Sequence, residues 1–285
     1  MINVLTNVRL DTKAGNPCIK DNKSLIGFDF SSVIPEYEIK KEGKNYKIRF
    51  HDVLLNMPSG SYAIDDGIIN KIFISSNDNN VEVKIDLLME TSYEIESIDG
   101  IPAKLNFFVD KSPLKNILKG KKIILNPVYK KTTKSPTNLS SHIPMMDISK
   151  KTKELLTLLE ADVLISMINY SENISNGDFK GDVIINLTTE ISTKNESGFK
   201  VYYDKDNEKS KKLAELLNKS IERKSPLDNL GMHPTKYNGT RKDAATVTVI
   251  PGIENSRLDD AHLRDIDYKS KIALAIFNGI LAYFK

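Results

Sequence analysis

The sequence has little cysteine, no long apolar run and almost no excess of either charge. Cys18 is its one cysteine in 285 residues, which excludes an intramolecular disulfide and a multi-cysteine zinc site. No apolar run approaches the length that spans a bilayer, so no transmembrane segment is expected. The 41 basic and 38 acidic side chains leave a net charge of +3, and nucleic acid is not an expected partner.

The amino-terminal residues, Met1-Ile2-Asn3-Val4-Leu5, lack the basic and long apolar regions of a secretory signal. Either the protein stays inside the cell or a signal was removed before the chain was defined, and both cases stay open. The composition, with 40% hydrophobic and 28% charged residues, is typical of a globular protein, and 285 residues suit two domains.

The first half of the sequence has the period-2 pattern of β-strands. Apolar and charged residues alternate over 46–50 and again over 81–87, which places one face on a core and the other in water. Further strands are predicted over 68–75, 93–98 and 104–109, and segments rich in Asn, Asp, Gly and Pro separate them. Residues 1–114 are therefore predicted to form a small β-sandwich.

The second half alternates short apolar runs with amphipathic helices. Strands are predicted at 123–125, 163–165, 199–203 and 245–250. Helices are predicted around Leu155 (capped by Asp147), around Leu213 after Asn207, and over 272–284. The pattern predicts an α/β domain over 120–285 with a mainly parallel sheet covered by helices on both faces.

A basic linker with the first strand occupies 115–134, where it is predicted to be solvated or to touch anionic wall polymers.

The ordered segments of the second half resemble zinc-dependent N-acetylmuramoyl-L-alanine amidases. Lys122-Ile123-Ile124-Leu125-Asn126-Pro127 is similar to the strand that opens into Asp-Pro-Gly-His-Gly-Gly, and 161–166 resembles the strand before Ser-Ile-His-Ala-Asn. Segment 198–203 is similar to the family's glycine-led strand, and Gly252-Ile253 with 271–284 is similar to its last loop and helix. The β half resembles the AMIN domain in 64–72 and 81–87, a module that often precedes such amidases.

The resemblance implies a zinc ion held by two histidines and a glutamate, with a second glutamate as general base. Matching the motifs puts Tyr129 and Ile168 in the histidine positions and Ile250 in the catalytic glutamate position. Hydrocarbon and phenol do not replace imidazole and carboxylate as ligands, so no zinc and no catalytic residue are predicted. The interval from Tyr129 to Ile168 is also shorter than in the family, and no equivalent of the ligand glutamate is found.

A vestigial cleft is expected to be bordered by Asn126, Tyr129, Asn169 and Glu254. A rearranged metal site that uses Glu254 and His262 is an alternative, although an exposed histidine and a solvated acidic turn are commoner. No serine-nucleophile elbow, phosphate-binding glycine loop or Cys-x-x-Cys motif supports another catalytic class.

The sequence thus favours a non-catalytic pseudo-amidase of the bacterial cell envelope, whose location is implied by the resemblance. Its partner would be peptidoglycan or a cell-wall protein, and its oligomeric state is open. The alternatives are an active amidase with a rearranged metal site and a structural assembly subunit without wall contact.

Overall fold

The computed structural model describes residues 3–11, 22–128, 134–166, 179–236 and 243–285. The chain divides into two compact units, Met1–Asn116 and Ile117–Lys285. Cys18, Tyr129, Ile168 and Asn169 lie outside the described residues.

The N-terminal unit contains two five-stranded sheets. One has the order β5-β1-β2-β10-β9 and the other has the order β3-β4-β8-β7-β6. The strands are β1 (Asn3–Asp11), β2 (Lys23–Phe30), β3 (Tyr37–Glu42), β4 (Asn45–Phe50), β5 (Val53–Leu55), β6 (Gly60–Ala63), β7 (Ile69–Asn77), β8 (Asn80–Leu87), β9 (Tyr93–Ile98) and β10 (Ala103–Asp110).

The two sheets of this unit pack face to face. Phe50 of β4 lies with its ring centroid 5.1 Å from both Phe28 and Phe30 of β2, in edge-on geometry. Tyr46 likewise contacts Phe107 across the sheets at 5.8 Å. The alternation in β4 and β8 buries every second residue, as their period-2 pattern predicts. The prediction of a β domain in the first half is confirmed.

A short helix, α1 (Ser112–Leu118), follows the β unit, and the sheet of the second unit begins at Lys122. The C-terminal unit has a six-stranded sheet in the order β12-β11-β13-β16-β14-β15. Neighbours pair in parallel except for β14 and β16, which are antiparallel. The strands are β11 (Lys122–Pro127), β12 (Asp162–Ile165), β13 (Val183–Leu187), β14 (Phe199–Asp204), β15 (Asn229–Thr235) and β16 (Ala245–Ile250).

The helices of this unit are α2 (His142–Thr157), α3 (Glu208–Lys224), α4 (Arg257–Arg264) and α5 (Ile266–Phe284). Helix α5 contacts both α2 and α3, so these three helices form one continuous layer. Helix α2 contacts β11 and β12, and α3 contacts β14 and β16. The mainly parallel sheet covered by helices is therefore confirmed, although the described helices α2, α3 and α5 form a single layer, whereas helices on both faces were predicted.

The helix caps agree only in part with the sequence prediction. Asn207 caps α3, because its side chain accepts hydrogen bonds from the N–H groups of Lys209 and Ser210. The prediction that Asp147 caps α2 is wrong: the helix begins at His142, so Asp147 lies within it and pairs with Lys269 of α5 at 2.6 Å.

Within the described residues, no helix is both long and apolar enough to cross a membrane.

Candidate functional site at the carboxyl end of the central strands

Three neighbouring parallel strands, β11, β13 and β16, end at the same edge of the C-terminal sheet. Near that edge a polar row crosses one sheet face: Asn126 is in register with Asn186, and Asn186 with Thr248. The Asn126 amide donates to Asn186 Oδ1 at 3.0 Å, and the Asn186 amide donates to Thr248 Oγ1 at 3.3 Å. All three side chains are buried, so the row holds the strands together.

The loops that follow β13 and β16 run beside each other. The Thr188 N–H donates to the Val249 carbonyl at 3.2 Å, and the Glu254 N–H donates to the Glu190 carbonyl at 2.7 Å. Glu190 and Ile253 also form an isolated parallel bridge. The sheet therefore continues past its last regular residues at this edge.

Glu254 joins the segments that follow β11, β13 and β16. Its side chain is only 2% exposed, and its carboxylate accepts the Lys134 N–H at 2.6 Å and the Thr189 hydroxyl at 2.7 Å. Lys134, Thr189 and Glu254 follow β11, β13 and β16, respectively. A buried carboxylate with two such donors is a structural anchor, because its oxygens are satisfied by the chain itself.

Two further buried carboxylates, Asp259 and Asp260, fix the start of α4. Asp259 accepts the Ile253 N–H at 2.6 Å and the Gly198 N–H at 2.9 Å, which connects the last loop to β14. Asp260 accepts the Ser135 hydroxyl and, at 2.6 Å, the Thr137 hydroxyl, so the segment after β11 is tied to α4.

Lys200 lies on the same sheet face as the polar row. It is the register partner of Ile250 on the antiparallel neighbour β16, so the two Cβ atoms are about 5 Å apart. Its ammonium pairs with Glu196 at 3.0 Å and with Glu190 at 3.2 Å, and the Tyr202 hydroxyl donates to Glu190 at 2.6 Å.

The charges in this cluster stabilise one another. Burial of Lys200 opposes its charged form, but hydrogen bonds to Glu196 and Glu190 outweigh burial and raise the pKa of Lys200. The hydroxyl of Ser192, followed by the ammonium of Lys200, lowers the pKa of Glu196. Both shifts favour the charged forms, the Lys200 ammonium and the Glu196 carboxylate.

The residues predicted from the sequence occupy different surroundings at this edge. Ile250 is 3% exposed, and Asn126 and Glu254 are buried within hydrogen-bond networks, so none of the three presents a free polar group. Tyr129, Ile168 and Asn169 lie outside the described residues. His262 packs against Tyr268 with ring centroids 5.2 Å apart. Over the described ranges, no three His, Cys, Asp or Glu side chains gather in a group that could hold a metal ion.

Sequence reasoning missed β13 and the cluster beside it. The run Val183-Ile184-Ile185-Asn186-Leu187 follows Gly181 and is apolar at four of five positions, which is the signal of a short strand buried on both faces. Lys200 and Glu190 gave no local signal, because their proximity arises from the pairing of both β13 and β14 with β16.

Residues 144–282 match the family model "N-acetylmuramoyl-L-alanine amidase" (Amidase_3). The match begins inside α2 and includes β12 to β16. Curated relatives include "Probable cell wall amidase LytH" from Staphylococcus epidermidis, 27% identical over 195 residues, and from Staphylococcus aureus, 26% identical. Each alignment covers 66% of this chain and 66% of the relative, so just under two thirds of the relatives' length is spanned.

Solved structures share the fold. The amidase Ami1 from Mycobacterium smegmatis aligns with a TM-score of 0.51 and 15% identity, over 59% of this chain and 98% of that one. An N-acetylmuramoyl-L-alanine amidase from Clostridium difficile 630 aligns with a TM-score of 0.53 and 17% identity, over 58% and 97%. The CwlD amidase from Clostridioides difficile, solved in complex with the GerS lipoprotein, aligns with a TM-score of 0.51 and 18% identity. That alignment covers 57% of this chain and 98% of the CwlD chain.

The C-terminal unit of this chain is thus similar in sequence and in fold to N-acetylmuramoyl-L-alanine amidases.

Proposed function

We propose that this chain is a non-catalytic pseudo-amidase that acts in the cell envelope, where it binds peptidoglycan or supports a wall-remodelling partner. The family match supports a role connected with the cell wall. The observation that supports the non-catalytic part is that hydrocarbon, hydroxyl and ammonium groups lie at the carboxyl ends of β13 and β16, where the resemblance implies metal-binding groups.

The strand topology supports a new assignment of the second histidine position. Strand β12, which contains most of segment 161–166, is an edge strand next to β11 alone. Strand β13 lies between β11 and β16, and it is followed by Thr188-Thr189-Glu190. We therefore place Thr188, rather than Ile168, in the histidine position of the family's Ser-Ile-His-Ala-Asn segment.

Zinc does not fit the donor set at this edge. Thr188 offers a neutral hydroxyl and Ile250 offers hydrocarbon, whereas zinc sites use imidazole, thiolate and carboxylate ligands. Glu254 already accepts two hydrogen bonds from the chain. The Lys200 ammonium, next to Ile250, has no lone pair to offer to a metal ion. No hydrolytic step through a metal follows from these residues.

The accessible groups of the same sheet face are the proposed place of wall contact. Glu190, Tyr202 and His233 are partly exposed, and the Tyr202 and His233 rings lie 5.3 Å apart. A tyrosine ring offers an apolar face for a sugar ring, and the carboxylate and imidazole offer hydrogen bonds. We propose these three residues as ligand contacts in place of the buried Asn126 and Glu254.

Co-sedimentation with purified sacculi tests this placement. We expect the wild-type chain to sediment, and we expect Tyr202→Ala and His233→Ala each to weaken retention several-fold. His142→Ala is the control, because His142 is equally half-buried but lies at the start of α2. Equal retention of all three variants would place the contact elsewhere, and a wild-type chain that stays in solution would favour the assembly-subunit role.

The N-terminal β unit is proposed to resemble AMIN and to serve targeting or docking. The two packed five-stranded sheets are compatible with this role. The extracytoplasmic location is likewise a proposal, since it follows from the cell-wall relatives.

The rival function is an active amidase with a displaced metal site. Glu254 and His262 were its candidate ligands. Both the buried anchoring of Glu254 and the ring contact of His262 with Tyr268 disfavour it.

A further inference from the structure

A polar cavity lies at the opposite, amino-terminal edge of the C-terminal sheet. Its volume is about 410 Å³. Lys121, Asp182 and Asp243 come just before β11, β13 and β16, and Lys209 and Lys212 come from the first turns of α3. A five- or six-residue strand is roughly 17–20 Å long, so this cavity is separate from the amidase-like edge.

Aromatic rings at the end of α5 hold two of the ammonium groups in place. Lys121 Nζ lies 5.2 Å from the ring centroid of Phe284, and Lys212 Nζ lies 5.5 Å from that of Tyr283. A cation above a ring face is attracted by the ring while its N–H groups still point away from it. The two ammoniums are therefore positioned with donors available to a ligand.

The lysines and the aspartates of this cavity differ in their partners. Lys209 donates only to a neutral main-chain carbonyl, that of Asp243, at 3.1 Å. Among the described residues, none of Lys121, Lys209 and Lys212 forms an ion pair with a carboxylate. Asp182 accepts the Lys122 N–H at 2.8 Å, and Asp243 is also engaged. The cavity lining thus carries three ammoniums and two carboxylates, a formal net charge of +1, which favours an anionic ligand.

The basic linker segment contributes one of the three lysines that line this cavity. Lys121 belongs to the lysine-rich stretch 115–134, and α3 brings Lys209 and Lys212 to it from almost 90 residues further along the chain. Lysine ammoniums bind phosphate as point charges, and the rings beneath offer an apolar surface to the group that bears the phosphate.

We propose that this cavity binds a phosphate-bearing ligand whose sugar or alkyl portion packs on Tyr283 and Phe284. The proposal goes beyond the wall-binding role of the opposite edge and does not depend on it. A phosphodiester polymer and a small phosphate compound share this chemistry.

Titration calorimetry with two probes tests the proposal and separates the sources. Inorganic phosphate represents the small compound, and poly(glycerol phosphate) represents the polymer. Binding of either probe that weakens as salt increases is expected for the wild-type chain. Comparable affinity per phosphate would identify a small-phosphate site, and binding of the polymer alone would identify a polymer site.

The variant Lys121→Gln/Lys209→Gln/Lys212→Gln should lose binding roughly fivefold per lysine, hence about 100-fold. The control, Lys150→Gln/Lys219→Gln/Lys271→Gln, removes the same charge from exposed helix positions outside the cavity and should retain binding within about threefold. Equal losses in both triple variants would mean non-specific attraction and would overturn the site, as would a wild-type chain that binds neither probe. Sacculus retention, measured in parallel, reports on the opposite edge.

Discussion

At the scale of single residues, Lys200 carries the positive charge of the carboxyl-end site. It is 8% exposed, and it separates two carboxylates that would otherwise repel each other, Glu190 and Glu196. An ammonium in this position gives the site an internal counter-ion.

The variant Lys200→Met keeps most of the side-chain volume and removes the charge. Breaking a buried ion pair costs about 3–5 kcal/mol, but both glutamates keep contact with water, so we expect roughly 1–3 kcal/mol loss in unfolding free energy. Urea denaturation measures this loss in unfolding free energy. Adding Glu190→Gln and Glu196→Gln should restore much of the loss, and an unchanged stability in Lys200→Met alone would show that the pair is not structural.

The lowered pKa of Glu196 predicts a pH dependence. Ser192 and Lys200 stabilise its carboxylate in the folded state, so its contribution to stability is present above the ordinary glutamate pKa of about 4.3. The contribution disappears as pH falls through the lower folded-state pKa. Thermal unfolding should therefore show a Tm difference between wild type and Glu196→Gln at about pH 7 that closes as the pH falls below the ordinary glutamate pKa of about 4.3.

The control for this titration is Glu222→Gln, on the exposed face of α3. Its Tm difference from wild type should stay small over the same range. A Glu196→Gln difference that grows as the pH falls would contradict the assigned sign.

At the scale of elements, the crossing of α5 over α3 depends on Gly279. A Cβ added at this residue would lie 2.6 Å from Leu217 Cδ2 and 3.1 Å from Leu217 Cα. The backbone atom cannot move without shifting α3, and such overpacking costs about 1–3 kcal/mol.

Gly279→Ala should therefore lower the unfolding free energy by this amount, although alanine normally favours a helix over glycine. Gly60→Ala is a suitable control, because no atom lies within 4 Å of its added Cβ. Chemical denaturation of both variants makes the comparison, and a stabilised Gly279→Ala would mean that the helices do not approach so closely.

The elements also show what the sequence could predict. Periodic segments such as β4, β8 and α3 were found because alternation and 3.6-residue spacing are local signals. Strand β13 was missed although it carries the same signal as β11 and β16, a short apolar run buried on both faces, so it was within reach of the sequence. The polar row from Asn126 to Thr248 was beyond prediction, because register between strands distant in sequence is set by packing.

The prediction of the site was limited because its contacts join segments that are distant in the sequence. The amidase resemblance predicted that Ile250 and Glu254 lie near the site. It could not predict that Glu254 is buried, because the two groups that donate hydrogen bonds to its carboxylate belong to loops more than 60 residues away in the sequence. The position of Lys200 beside Ile250 likewise requires the antiparallel pairing of β14 with β16.

At the scale of the whole molecule, the amidase-like unit has a six-stranded sheet, and in its described part hydrogen bonds within the chain join the loops at the carboxyl edge. Glu254, Asp259 and Asp260 connect the loops that follow the central strands to each other, to α4 and to β14. The C-terminal unit thus has an amidase-like fold, and its buried carboxylates are engaged in hydrogen bonds within the chain. This combination is what the proposed pseudo-amidase role requires.

The most direct measurement combines metal analysis of the purified chain after incubation with excess zinc with an assay of peptide release from purified sacculi. We predict less than one zinc per chain retained after dialysis and no release of stem peptides above background. One tightly held zinc per chain together with peptide release would contradict the proposed non-catalytic function.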